Sequence, residues 1–450
     1  MQKNIIVFLI RAAIDFALMY LALFLVLACS YHDFSVFPGP QTRQFFFHFS
    51  FIQLIWLVLL YAFDFYDIFL IKKFFIFLKN SAIFGILAFI VGASYFYLNL
   101  HSLISPKTIL FFDVAVFLLF LFLRSVIAAK IADASQFRKN AAVVGWSNRM
   151  EELARDYFPH LNYQITAVFS PGALNGFGNL DIYCRQNDFL AALKKQRIDL
   201  VIFALPPSAR AQLDDLVSKI DIDTKIISLE SFYEEITGKV PLDFIDNVWL
   251  SDIIRRVGRR HYIGVKRIFD IIFALVGLII TVIIFPFIAL AIKLDSSGPI
   301  FYIQKRVGKN GKNFNLYKFR TMAQNAEING PQWSIGLADP RITRVGKFMR
   351  AIHIDEFPQF VNILKGNMSF VGPRPERPEF VEDLKKNIPY YHYRHIIKPG
   401  FTGWAQINYK ASATAQEARE KFEYDLYYIK NCSFFLDIAI ILKTIQLLFR

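Results

Sequence analysis

Asp355 and Glu356 stand side by side in HIDEFPQF, residues 353–360 of a 450-residue chain. Adjacent carboxylates can divide a reaction between them, one attacking as a nucleophile while the other manages a proton or a divalent cation. Phe357, Phe360, Val361 and Leu364 recur at helical spacing, and Asp355, Gln359 and Asn362 fall on another side. The dyad is therefore expected to head an amphipathic helix. Pro358 suits a first turn, whose amide hydrogens lack intrahelical partners. The positive end of the helix dipole favours negative side chains there by a few tenths to about 1 kcal/mol, which would help keep an aspartate ionised. Taken alone, the pair reads first as an ordinary acidic N-cap, and its neighbours must decide.

Those neighbours are cationic on both sides. Residues 304–322, QKRVGKNGKNFNLYKFRTM, bring Lys318 and Arg320 among glycines and aromatics, a composition that offers cations and open backbone amides to a polyphosphate. DPRITRVGKFMR, residues 339–350, adds Arg341, Arg344 and Arg350. Downstream, Pro373 and Pro375 stiffen the backbone around Arg374, and KPGFTGWAQIN, residues 398–408, leads to Lys410. Each basic run alone reads as a membrane-facing surface. Together with an acidic pair and rigid Pro/Gly loops they predict a site for a phosphorylated substrate. Glycosidases also pair carboxylates, but flanking a sugar at about 5 Å or more, which neighbours in one helical turn do poorly. Phosphoryl transfer suits them better, with Mg2+ as the natural ion because only oxygen ligands are on offer.

The elements that must position these residues belong to a membrane protein. The chain is 55% hydrophobic with 49 Phe and a formal charge of +14, which points to anionic partners. Cys29, Cys184 and Cys432 lie far apart with no CxxC pair, so neither a zinc site nor a disulfide framework is suggested. Four apolar runs, residues 5–29, 45–65, 82–100 and 108–128, each approach the length needed to cross a bilayer. Lys72, Lys73 and Lys79 follow the second run, and Lys130, Arg138 and Lys139 the fourth, which places both ends of a four-helix bundle (1–130) in the cytoplasm. Arg11 and Asp15 are spaced for an intrahelical ion pair. Residues 140–250 alternate β-branched runs with helical stretches and read as a Rossmann-like α/β domain. Its first turn, GWSNRM, has only Gly145 and gives no dinucleotide fingerprint, so a regulatory or dimerising role is expected. A fifth apolar run, 268–294, has basic flanks and contains Pro286. A simple span would put the basic segment 305–350 outside, so a re-entrant helix broken at Pro286 is expected. The last segment, 434–450, is interrupted by Asp437 and Lys443 and reads as interfacial.

KRIFD (266–270), the segments 304–322 and 339–350 above, IDEFPQFVNILKGNMSFVGPRP and KPGFTGWAQIN together resemble the bacterial sugar transferases, the monotopic phosphoglycosyl transferases, from Lys266 to the C-terminus. The upstream bundle and α/β domain resemble the large subgroup. The resemblance implies a catalytic domain over 262–450 and transfer of a hexose-1-phosphate from a UDP-sugar to undecaprenyl phosphate at the cytoplasmic face of the bacterial inner membrane. It implies Asp355 as a nucleophile forming an aspartyl-phosphosugar with release of UMP, and Glu356 as the acid associated with Mg2+. Lys318 and Arg350 match basic residues near the phosphates, Arg374 lies in a proline-arginine-proline loop tied to nucleotide binding, and Asp437 matches a further acid. Lys410 stands where small members carry Arg, which weakens a bidentate phosphate contact there. Membrane lipids and a homodimer partner are implied, and nucleic acid is not. Two other readings fit parts of the pattern: a metal-dependent lipid phosphatase using the same pair, and a non-catalytic basic scaffold on anionic lipid. Nothing in the sequence reads the stereochemistry of the sugar.

Overall fold

The computed structural model describes residues 2–31, 40–63, 65–66, 74–98, 107–133, 139–161, 163–170, 181–205, 216, 218–221, 224–245, 250, 253, 260–324, 326, 338–409 and 414–448. Two compact units emerge. One comprises Met1–Val143, Glu152–Val201 and Ile220–Lys225; the other comprises Val144–Glu151, Ile202–Lys219 and Ile226–Arg450.

The first unit opens with the expected helices, α1 (Gln2–Tyr31), α2 (Pro40–Ala62), α3 (Phe74–Leu98) and α4 (Lys107–Asp133). Their segments Ile10–Ser30, Arg43–Ala62, Phe77–Tyr97 and Thr108–Ala128 are long and apolar enough to cross a membrane. Large aromatics fill the interior, with Trp56, Phe84 and Phe117 in mutual contact. Asp15, for which an intrahelical pair with Arg11 is expected, also has an interhelical partner: Arg124 of α4 donates to its carboxylate at 2.9 Å, and Arg11 also donates to the Tyr66 carbonyl at 2.9 Å. In a poorly solvated bundle, an arginine able to reach both a carboxylate and the Phe65 carbonyl satisfies more acceptors than a neighbour on the same turn could.

A five-stranded sheet follows in the order β3-β2-β1-β4-β5, from β1 (Lys139–Val144), β2 (Tyr163–Phe169), β3 (Asp181–Tyr183), β4 (Leu200–Phe203) and β5 (Lys225–Ser228). Strands β2 and β3 pair in parallel, and α5 (Asn148–Asp156) and α6 (Gln186–Lys195) lie in the connections, as the alternating pattern predicts.

Residues 229–245, expected with the α/β domain, pack in the second unit. Helix α7 (Leu229–Thr237) is capped by Ser228 and ends at Gly238, in the left-handed region with φ 66°. Lys430 holds Glu234 at 2.6 Å, and the Trp404 indole donates to the Gly238 carbonyl at 2.8 Å.

The frame of the second unit is α8 (Arg260–Asp295), a helix of 36 residues. It runs unbroken through Pro286, so the interruption expected there is absent and the proline is carried inside one helix. Segment Tyr262–Asp295 is long and apolar enough to cross a membrane. Elements of the second unit nevertheless pack against both its start and its end. Asp270 near its start bonds Ser369 of β8 (Ser369–Val371), and Asp295 at its end accepts from the Val345 amide of α9 (Arg344–Ala351). Ala274 and Ile292 are buried on that inner side, whereas Phe287 is 74% exposed and Leu294 79% on the outer one.

An antiparallel hairpin, β6 (Phe301–Val307) and β7 (Asn313–Phe319), lies against α8, with Phe285 stacked on Phe301 and Phe319. Then come α10 (Gln359–Leu364), α11 (Pro378–Asn387), β9 (Gly400–Thr402), which pairs in parallel with β8, α12 (Trp404–Asn408), α13 (Ala415–Asn431) and α14 (Phe434–Leu448). Helix α14, expected to lie on the membrane surface, buries Ile440 against Val371 and Tyr428, turns Asp437 inward and leaves Phe435 and Ile445 exposed. The ring of Phe360 sits where a Cβ on Gly277 would stand, so α10 reaches α8 only because residue 277 has no side chain. Gly277→Leu should overpack this contact and cost about 1–3 kcal/mol, read as a fall in melting temperature in a fixed detergent.

Candidate active site

Residues 344–351 form α9 because Thr343 caps its first turn, accepting from the Gly346 amide at 3.1 Å. The chain then reverses through His353, in the left-handed region with φ 55°, into the 3-10 turn Ile354–Glu356 that carries the dyad. The expected amphipathic helix is α10, and it is short: six residues with Pro358 at its N-cap. The carboxylates therefore precede the helix on a turn of their own. Asn362 of α10 bridges to the open edge of β7, accepting from the Tyr317 amide at 3.1 Å and donating to the Asn315 carbonyl at 2.7 Å. This clamp places the dyad beside the strand that carries Lys318.

The two acids are then treated differently. Glu356 accepts from Lys318 at 2.6 Å and from both terminal nitrogens of Arg374, one at 3.2 Å. Asp355, equally buried at 5% exposure, accepts no hydrogen bond among the described residues. Burial opposes ionisation of both. For Glu356, Arg374 and Lys318 outweigh it and hold the carboxyl well below its usual range. For Asp355, burial prevails over Lys318 and Arg350 and pushes the carboxyl up. The helix dipole thus does not govern the pair; desolvation and the placement of cations do. One carboxylate is locked, and the other keeps its lone pairs available.

Arg374 is held by a second layer. Arg394 donates to its carbonyl at 2.8 Å and to Asp425 at 2.7 Å, and Arg306 donates to the Pro375 carbonyl at 3.0 Å. Glu376 completes this layer, with Lys421 at 2.7 Å and Arg394 and Arg306 at 3.7 and 3.8 Å. Close backbone packing adjoins it: a Cβ on Gly400 would overlap the Gly372 backbone, so strands β8 and β9 approach through glycines at the loop's root.

Comparison with known proteins fits this arrangement. A family model described as bacterial sugar transferase matches residues 261–450, and one described as CoA-binding domain matches 61–227. The exopolysaccharide production protein PSS of Rhizobium leguminosarum bv. phaseoli is 40% identical over 189 residues, 40% of this chain and 92% of that protein. The chain belongs to the bacterial sugar transferase family. The UDP-N-acetylgalactosamine-undecaprenyl-phosphate N-acetylgalactosaminephosphotransferase of Aeromonas hydrophila is 42% identical over 221 residues, 49% of this chain and 51% of that protein. The UDP-glucose:undecaprenyl-phosphate glucose-1-phosphate transferase of Xanthomonas campestris pv. campestris is 33% identical over 270 residues, 57% of this chain and 54% of that protein. The chain thus spans about half the length of these two curated relatives.

In this family member the structure brings Lys318 and Arg374, the latter between Pro373 and Pro375, to the dyad, and Arg350 within electrostatic reach of Asp355. Arg320 is not there. Its guanidinium closes the end of α8, donating to the carbonyls of Ser296 and Ser297 at 2.7 and 2.8 Å. Arg341 forks onto Asp339 at 2.6 and 2.8 Å. Lys410 lies outside the described residues. Arg306, Glu376, Arg394 and Asp425 were missed, and only Arg306 and Glu376 stood in segments whose composition drew attention. Asp437 accepts from Tyr262, Lys266 and Tyr428, which joins α14 to α8 and α13.

Glu376 offers a test of the second layer. Burial opposes its charge, but Lys421, Arg394 and Arg306 hold its pKa at about 2 against 4.5 for a free glutamate. Its contribution to stability is full above the unfolded value and is lost as pH falls from about 4.5 towards 2. Glu376→Gln should flatten the pH dependence of unfolding across that window while leaving it unchanged near neutrality, measured by denaturant titration at a series of pH values.

Proposed function

We propose that the protein is a phosphotransferase that moves a hexose-1-phosphate from a UDP-sugar to undecaprenyl phosphate by way of a covalent intermediate on Asp355. The observation that carries this reading is the asymmetry of the dyad: Glu356 is saturated by Lys318 and Arg374, and Asp355 is left without a hydrogen bond among the described residues. A carboxylate bound to nothing is more nucleophilic than one already shared among three donors. The printed names of the Aeromonas and Xanthomonas relatives support the donor and acceptor classes, and their different sugars leave the hexose open.

In this reading an Asp355 carboxylate oxygen attacks the sugar-bearing phosphorus, the bond from that phosphorus to the UMP oxygen breaks, and UMP leaves with the electron pair. An oxygen of undecaprenyl phosphate then attacks the same phosphorus, expelling the carboxylate and giving undecaprenyl-diphospho-sugar. Lys318, Arg350 and Arg374 surround the reacting phosphates with positive charge that needs no reorganisation when negative charge shifts. The donor set fits Mg2+, because the open oxygens of Asp355 and the second lone pairs of Glu356 are all oxygen ligands and magnesium takes few from the protein. Bound there, it would neutralise phosphate charge.

The catalytic unit lies at the cytoplasmic face of the inner membrane, with both ends of α8 on one side. Support comes from the packing of one domain at its start and at its end, at Asp270 and at Asp295. Cysteines placed at Arg267 and Ser297 should both resist an impermeant periplasmic thiol reagent in cells; labelling of the second alone would make α8 a span.

The mechanism is tested by radiolabelled UDP-sugar supplied without undecaprenyl phosphate, followed by peptide mapping. Asp355→Asn should abolish both the labelled adduct and turnover, whereas Glu356→Gln should keep a slow adduct. Label elsewhere, or turnover in Asp355→Asn, would leave direct transfer in a ternary complex.

A further inference from the structure

A second cluster of cations in the C-terminal unit lines a cleft of about 220 Å³ beside the start of α8. Lys266 and Arg267 come from α8, Lys309 from the tip of the β6–β7 hairpin, and Lys398 from the segment before β9. The charge of Lys266 is matched by Asp437 at 2.8 Å. The cleft's own acid, Asp270, is turned to β8, accepting from the Ser369 hydroxyl at 2.9 Å and the Phe370 amide at 2.8 Å. Arg267 meets only neutral acceptors there, the carbonyls of Ile363 and Leu364 at 2.7 and 2.8 Å.

The excess charge is concentrated. The Lys398 ammonium and an Arg267 nitrogen lie 3.5 and 3.7 Å from the point where a Cβ on Gly366 would stand. Burial and the neighbouring Arg267 push the Lys398 ammonium down, Asp270 opposes them, and Lys309 adds to the push. Like charges held together in a recess are relieved by an anion with several acceptor oxygens. The walls are apolar, with Val371 and Ile397 on one side and Ile263, 46% exposed on the membrane helix, at the mouth. A free phosphate gains nothing from such walls, and an acyl chain does.

We propose that this cleft is a second phosphate-binding site that takes the phosphate headgroup of a membrane lipid among Arg267, Lys309 and Lys398. Arg267 closes the carbonyl end of α10, and the dyad precedes its amino end. Six residues at 1.5 Å each put roughly 9 Å of helix between them. A phosphate here is held, not attacked. The proposal rests on the membrane-surface reading above and not on the transfer reaction.

Cys432 lines the cleft, is not disulfide-bonded and supplies the probe. In full-length protein carrying Cys29→Ser and Cys184→Ser, kept in a phosphate-free sugar detergent, alkylation of Cys432 is timed with short-chain phosphatidic acid, a fatty acid of matched length, or inorganic phosphate. Phosphatidic acid should slow alkylation and the fatty acid should not. In Lys309→Ala/Lys398→Ala protein the half-protecting concentration should rise roughly tenfold or more, as expected for lost charge-assisted contacts, and Lys309→Arg/Lys398→Arg should restore it. Equal protection by inorganic phosphate would overturn the headgroup assignment in favour of a soluble anion. No protection by either, or protection that survives the double alanine change, would overturn the site. The readout uses no sugar nucleotide, so its failure and that of the transfer reading are distinguishable.

Discussion

The site depends on one buried ionic contact, the carboxylate of Glu356 held between Lys318 and Arg374. Its three members come from β7, from the turn before α10 and from the loop after β8. Removing Glu356 would leave Lys318 and Arg374 facing each other without their shared counter-charge. The contact therefore fixes the spacing of three segments that share no backbone pairing at that point. It also leaves Asp355 surrounded by positive potential but bonded to none of the groups that create it.

Keeping Arg374 in place requires further charges behind it. Arg394 and Arg306 bind carbonyls of the proline-flanked loop, Glu376 and Asp425 neutralise them in turn, and Lys421 shares Glu376. The prolines restrict the loop, and the arginines choose one of its allowed shapes. A loop tied through its carbonyls can present a guanidinium with little entropy left to lose when substrate arrives.

Much of this was legible in the sequence where chemistry and spacing coincide. The dyad, Lys318 and the Pro373–Pro375 loop stand in short segments whose composition is unusual, and the structure brings them together. Arg320 shows where that logic stops: it belongs to the same basic segment as Lys318, two residues on, but β7 ends at Phe319, and beyond the strand Arg320 reaches the carbonyl end of α8. The partners of Asp15 and of Arg394 were invisible for another reason. Arg124 is 109 residues from Asp15, and Asp425 is 31 from Arg394. No local periodicity encodes pairs that exist only after helices pack. The four apolar helices and the α/β alternation were readable because they rest on run length and local pattern alone, whereas the allegiance of residues 229–245 to the C-terminal unit rests on contacts such as Trp404 with Gly238.

Helix α8 answers to two solvents at once. Its inner side is cut to fit protein, down to the missing side chain at Gly277, and its outer side carries Ile279, Val282, Ile283 and Phe287, all exposed among the described residues. The amphiphile that covers that stripe is a ligand of the native state in the thermodynamic sense, since it binds the folded unit more extensively than the unfolded one. The stability of the catalytic unit is accordingly a joint property of sequence and surrounding lipid, and the same chain in a different bilayer is, by mass action, a protein of different stability.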